Sequence, residues 1–103
     1  MTYIVISIPC SNKKEAEIIA KSLIQQKLVA CTNISPITSF FNWDNKLNSA
    51  NEYLILAKSK ANLFKSVEKY VKLKHSYDCP CILAWDLTHI NKQYKDWLDQ
   101  QLK

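Results

Sequence analysis

Val29-Ala30-Cys31-Thr32-Asn33-Ile34-Ser35-Pro36-Ile37-Thr38-Ser39-Phe40-Phe41-Asn42-Trp43-Asp44-Asn45-Lys46 is the stretch on which the reading of the whole chain turns. As far as Trp43 it is rich in β-branched and aromatic residues, which marks extended backbone. Pro36 lacks the N–H that a central ladder would use, so it predicts an edge strand or a bulge at that point. Asp44 and Asn45 tolerate left-handed backbone better than most residues and predict a tight reversal. A return strand then runs from about Lys46 to Ser59. At ~3.3 Å per residue the outgoing arm, Val29 to Trp43, spans roughly 45–50 Å. The helix expected before it is only ~24 Å long. The tip, with Phe40, Phe41 and Trp43, should therefore overhang its own domain. An exposed aromatic hairpin of that length is an aggregation hazard unless a neighbouring copy covers it, so these three residues are expected at a subunit interface.

Upstream, Tyr3 to Ile8 alternates, with Ile4, Ile6 and Ile8 on one face and Tyr3, Val5 and Ser7 on the other, which predicts a strand. Asn12 followed by Glu15 reads as a capping box, and Ala16, Ile19, Ala20 and Leu23 follow helical spacing, so a helix is expected from about 12 to 27. Downstream, Leu63, Phe64, Val67, Tyr70 and Val71 make one stripe of a helix from Asn62 to Lys74. Cys79 to Trp85 reads as a fourth strand, and Lys92 to Leu102 as a short closing helix with Tyr94, Trp97 and Leu98 inward. The order is βαββαβ plus a terminal helix: an α+β, ferredoxin-like sandwich over residues 1–103 as one domain. Helices cover only one face of such a sheet. Yet both strand faces are apolar, Leu54 and Leu56 as well as Tyr53 and Ile55, where an open antiparallel face should be polar. That too points to a symmetric oligomer.

Composition narrows the function. The 103 residues carry a formal charge of +5, all of it from lysine, with no arginine and no glycine. Without arginine, the usual bidentate reader of phosphate and guanine is missing, so nucleic acid is not an expected partner. Without glycine, every Gly-rich phosphate loop is excluded. The third strand offers Tyr53-Leu54-Ile55-Leu56-Ala57-Lys58 and no stacking platform for RNA. No apolar run approaches the ~20 residues that span a bilayer, so no membrane is expected either. Four cysteines with no export signal read as reduced thiols in the cytoplasm.

Several segments resemble the CutA divalent-cation tolerance family. Leu28 to Ile34 resembles its second strand, and Ile37-Thr38-Ser39-Phe40-Phe41-Asn42-Trp43-Asp44-Asn45-Lys46 is similar to its I-T-S-x-[YF]-x-W-x-G-K hairpin. Leu56-Ala57-Lys58-Ser59, His75-Ser76-Tyr77-Asp78-Cys79-Pro80 (the family's H-P-Y-E-x-P) and Tyr94-Lys95-Asp96-Trp97-Leu98 follow in the same order. The resemblance implies a homotrimer of PII-like, ferredoxin-like subunits interlocked through long hairpins, with clefts between subunits and copper or another divalent cation as the ligand of some members. It implies no enzymatic activity. Three positions depart from the pattern: Asn45 for Gly, Ser76 for Pro, and Cys81 for a glutamate.

Cys10 stands where the copper-binding members carry a cysteine, and with His75 it forms the expected metal pair. Lying at a strand end beside a helix N-terminus, its thiolate is expected to be favoured. His75, Tyr77 and Lys58 are the expected lining of a ligand cleft. Cys79 and Cys81, two residues apart, would share one strand face and with His75 suit Cu(I) or Zn(II); the plainer reading makes them small buried strand residues. Cys31 is expected in the core, His89 in solvent, and Trp43, Trp85 and Trp97 as interface and core anchors. The alternative to a binding protein is an enzyme using a Cys–His nucleophile pair, Cys10 or Cys79 with His75.

Overall fold

The computed structural model describes residues 1–103. Its elements run β1 (Tyr3–Cys10), α1 (Lys13–Gln25), β2 (Cys31–Trp43), β3 (Lys46–Lys60), a short 3-10 turn (Ala61–Leu63), α2 (Phe64–Lys74), β4 (Leu83–Asp86) and α3 (Lys92–Gln101). The four strands form one sheet in the order β2-β3-β1-β4, with every neighbouring pair antiparallel. Each helix crossover from β1 to β2 and from β3 to β4 skips one strand, which is the split βαβ arrangement expected from the sequence.

The strand alternation sorts the chain into two faces. Ile4, Ile6 and Ile8 of β1 and Ile55 and Ala57 of β3 meet Ile19 and Leu23 of α1 and Val67 and Val71 of α2 in the main core. On the other face α3 covers only one end, where Leu98 and Leu102 pack against Tyr3 and Ala30. The Tyr3 hydroxyl donates to Asp99 Oδ1 at 2.7 Å and ties α3 to the sheet. The rest of that face, including Leu83 and Trp85 of β4, stays open. No helix is long and apolar enough to cross a membrane.

Local chemistry sets the element ends. Asn12 Oδ1 accepts the Glu15 amide at 2.8 Å and caps α1. The helix ends in a Schellman motif, with Lys27 N–H donating to Ile24 O at 2.9 Å and Leu28 N–H to Leu23 O at 3.1 Å. This puts Lys27 at φ 58°, a left-handed position that glycine usually fills. Asp44 (φ 53°) and Asn45 (φ 59°) are also left-handed. With Trp43 paired to Lys46 they form a two-residue hairpin loop of the type I′ kind, which needs positive φ at both positions.

β2 is the sheet edge, and its register against β3 passes unbroken through Pro36 opposite Tyr53, so the proline marks an edge and not a bulge. β1 accompanies β3 only from Tyr53 to Lys60. Beyond that, Ile37–Trp43 and Lys46–Glu52 continue as a bare two-stranded ribbon, which at ~3.3 Å per residue projects by about 23 Å. The molecule is accordingly elongated, 45 × 25 × 22 Å, and its radius of gyration of 14.2 Å exceeds the value of about 13 Å for a compact chain of this size. Phe40 (71% exposed), Trp43 (61%) and Leu47 (76%) sit on this ribbon.

Several sequence-based expectations change. β1 runs on to Cys10, α1 stops at Gln25, and α2 proper begins at Phe64. β4 starts at Leu83, so Cys79 and Cys81 lie on an irregular, exposed segment and are neither strand residues nor buried. The β1–β4 register would set Pro9 opposite Cys81. Pro9 has no N–H, and its carbonyl is taken by His75, so the ladder cannot extend there. Cys31 is half-buried on the partly open face, where Lys58 Nζ donates to its sulfur at 3.9 Å, and it is outside the core. Trp85 and Trp97 are exposed within the chain and anchor no core.

Candidate metal centre

Three elements converge at the far end of β1. The strand delivers Cys10, the first turn of α1 delivers Glu15, and the residue that ends α2 is His75. One ligand atom from each lies within 4.8 Å of the others. Cys10 and His75, paired on the sequence, are thus brought together, and Glu15 joins them as a third donor. Tyr77 is next to His75, with ring centroids 4.7 Å apart. Lys58 is not in this group. It sits opposite Val5, whereas Cys10 sits opposite Tyr53, a separation of five residues along the strand. Lys58 instead donates to the Asn33 side chain on the open face.

Glu15 works as a clasp. Oε1 accepts the Ser11 amide at 3.0 Å and the Ser11 hydroxyl at 3.1 Å, and Oε2 accepts the Ser76 amide at 2.8 Å. The capping box is thus half as expected: Asn12 caps Glu15, but the glutamate reaches back to Ser11 and across to the segment after α2. Burial alone would raise the Glu15 carboxyl, but the hydrogen bonds from Ser76 and Ser11 outweigh it and hold the carboxyl below its usual range.

His75 is 9% exposed and engaged at both ring nitrogens. Nδ1 accepts the Tyr77 amide at 3.1 Å, which leaves the proton on Nε2, and Nε2 donates to the Pro9 carbonyl at 2.7 Å. The ring is neutral in this arrangement and holds the 75–77 turn against β1.

Cys10 is fully buried. Burial first, and then the negative charges of Glu15 and Glu52, push its thiol up to about 12. The helix N-terminus does not offset this, so the expected thiolate is corrected to a protonated thiol. Glu52, for which the sequence suggested no role, is itself buried and accepts the Tyr77 hydroxyl at 2.8 Å. Burial and then that carboxylate raise the Tyr77 phenol to about 12. The only sequence signal for Glu52 is one acid in the polar patch Asn48–Glu52, and nothing there distinguishes it from a solvated residue.

The donor set is one sulfur, one carboxylate oxygen and one imidazole nitrogen, which suits borderline divalent ions such as Zn(II) or Cu(II). The fit is conditional on two local changes: Cys10 must lose its proton, and His75 must release either Tyr77 or Pro9. The same two facts argue against nucleophilic catalysis. A thiol this far up has no base to prime it, because the imidazole lone pair is committed to a backbone amide.

Outside this group, a cleft of about 700 Å³ opens between the ribbon and the segment following α2, lined by Phe40, Phe41, Trp43, Tyr77, Cys79 and Cys81 among others. His89 is exposed in a loop.

Comparison with known proteins agrees with the fold and the motifs. The family model described as CutA1 divalent ion tolerance protein matches residues 4–101. The divalent-cation tolerance protein CutA of Archaeoglobus fulgidus is 41% identical over 98 residues, covering 95% of this chain and 96% of that one. Its Thermus thermophilus counterpart is 35% identical, covering 91% and 92%. Among solved structures, the periplasmic divalent cation tolerance protein CutA from Archaeoglobus fulgidus superposes with a TM-score of 0.96 at 40% identity, covering 98% of this chain and 99% of that one. CutA1 from Oryza sativa does so with a TM-score of 0.97 at 32% identity, covering 100% and 95%. With ferredoxin-like topology, long hairpin and signature residues in matching order, the chain belongs to the CutA1 divalent ion tolerance protein family.

Proposed function

We propose that the chain acts as a homotrimeric, non-enzymatic binding protein in divalent-cation tolerance, with the cation held by Cys10, Glu15 and His75. The observation that carries this reading is the convergence of those three donors within 4.8 Å at the meeting point of β1, α1 and α2. The names of the relatives support the class of ligand. Copper is one such ion, and the donor set accommodates zinc as well. A small-molecule ligand in a cleft between subunits is the second reading. It is favoured by Tyr77 lining the 700 Å³ cleft of its own chain, and it requires Lys58 of one copy to approach Tyr77 of the next.

Trimerisation is supported by the ribbon. A two-stranded hairpin with no third strand is marginal in water, and this one carries three strongly exposed apolar side chains. A closed ring of copies covers every tip with one repeated contact. We place the protein in the cytoplasm, where its four thiols stay reduced; two of them are exposed.

Native mass spectrometry of the reduced chain, titrated with Zn(II), tests both parts. The expected result is a trimer that binds one Zn(II) per chain and loses it on Cys10→Ser or His75→Ala. A trimer that binds no divalent cation moves the function to the cleft. A monomer refutes the assembly.

A further inference from the structure

We propose that Cys79 and Cys81 form a separate soft-metal site, one that takes a single monovalent cation of the Cu(I) type as a two-coordinate dithiolate at the wall of the hairpin cleft. Both thiols are free and exposed. Both line the same cleft of about 700 Å³, opposite Phe40, Phe41 and Trp43. Residues two apart lie at most ~7 Å from each other at Cα, a span that two sulfurs on one ion close readily. Pro80 between them fixes one backbone torsion, so less freedom is lost when both thiolates are held together.

The choice of ion follows from what else is within reach. A structural Zn(II) site takes four ligands, and the segment supplies only two sulfurs. His75 is not counted in this set, because its ring groups with Cys10 and Glu15 at the divalent site. Asp78 offers only hard oxygen, which a soft ion disfavours. Two thiolates and no third soft donor fit a soft cation of low coordination number. The balance is simple: the cation displaces one proton from each thiol, two protons leave to solvent, and the bis-thiolate carries one net negative charge on a chain of charge +5.

The site is independent of Cys10. The test uses the full chain, reduced and anaerobic, with Cu(I) delivered from a competing chelator and Ag(I) as the redox-inert surrogate. Native mass and the thiolate-to-metal charge-transfer absorption read the binding. One cation per chain is expected. Cys79→Ser with Cys81→Ser should weaken it by roughly a hundredfold or more, since both soft ligands go. Cys10→Ser should leave it unchanged. Both serines fall on an exposed segment, so folding should be retained, which circular dichroism checks. The proposal is overturned if the reduced pair takes up neither ion, if the double serine variant binds as the parent does, or if the ion is lost on Cys10→Ser. Zn(II) uptake at Cys10, measured on the same variants, reports separately on the divalent site.

Discussion

Replacing Trp43 with alanine is the sharpest test of the assembly, because this side chain takes no part in the core packing of its own subunit. It lies at the ribbon tip, 61% exposed, and outside both core clusters. Taking a tryptophan as ~250 Å², about 150 Å² of it awaits cover, which at ~25 cal/mol per Å² is about 4 kcal/mol if wholly buried by a neighbour. Ordering of the tip reduces that, so roughly 2–4 kcal/mol per subunit is the expected loss. A closed trimer repeats the contact three times, giving about 6–12 kcal/mol, or roughly four to nine decades in the association constant. Because that constant scales with the square of concentration, the dissociation midpoint should rise by about two to four decades. Sedimentation equilibrium or mass photometry over a dilution series reads the midpoint, and far-ultraviolet circular dichroism confirms that the monomer keeps its helices and sheet. An unchanged midpoint would refute the argument that the ribbon is an interlocking arm. So would loss of the monomer fold, which would make Trp43 part of the subunit's own stability.

Two further outcomes follow from other positions. Lys27→Gly should stabilise the chain by about 0.5–1 kcal/mol, because a lysine at φ 58° occupies a region that costs a side-chain-bearing residue; thermal unfolding should shift upward by about 2–8 °C, and a downward shift would contradict the Schellman reading. Glu15→Gln removes the carboxylate that Ser11 and Ser76 bond, and should cost about 1–2 kcal/mol at neutral pH in metal-free buffer. Since the folded carboxyl lies below its ordinary range, this contribution is complete above the unfolded value of about 4.3. It is lost as pH falls through the lower folded value. Urea unfolding of parent and variant should therefore converge in acid, and a gap that stays constant would show that the glutamate acts by packing alone.

Much of the fold was legible because local signals and global needs agreed. The alternation in Tyr3–Ile8, the Asn12 cap and the Asp44-Asn45 reversal each specify one local geometry, and each is found where the pattern placed it. The overhang followed from comparing the arm's length with that of the helix. Where the reading failed, the deciding partner was remote in sequence. Cys79-Pro80-Cys81-Ile82 has strand-like composition. Whether it pairs depends on Pro9, whose carbonyl is taken by an imidazole 66 positions away. The ionisation of Cys10 turned on burial and on two carboxylates, one of them 42 residues on in β3, which no inspection of the strand end could supply. Helix-dipole reasoning named one influence on that thiol and missed the larger one. Glu15 was visible only as a cap; its second bond, to Ser76, appears once α1 and α2 are docked.

β3 is a single strand of 15 residues that serves two masters. Its second half, Tyr53–Lys60, is fixed by β1 and by the burial of Ile55, Ala57 and Ser59. Its first half forms the ribbon, and the two share one uninterrupted ladder with β2. The arm therefore has no register of its own. A one-residue slip at the tip would carry back into the domain and turn Ile55 and Ala57 out of the core. The orientation of Phe40, Phe41 and Trp43 is thus inherited from packing more than 20 Å away. In the proposed trimer, mutations that alter which copies recognise one another are confined to exchanging side chains on a fixed rail, because the rail cannot be shifted without unfolding the subunit that carries it.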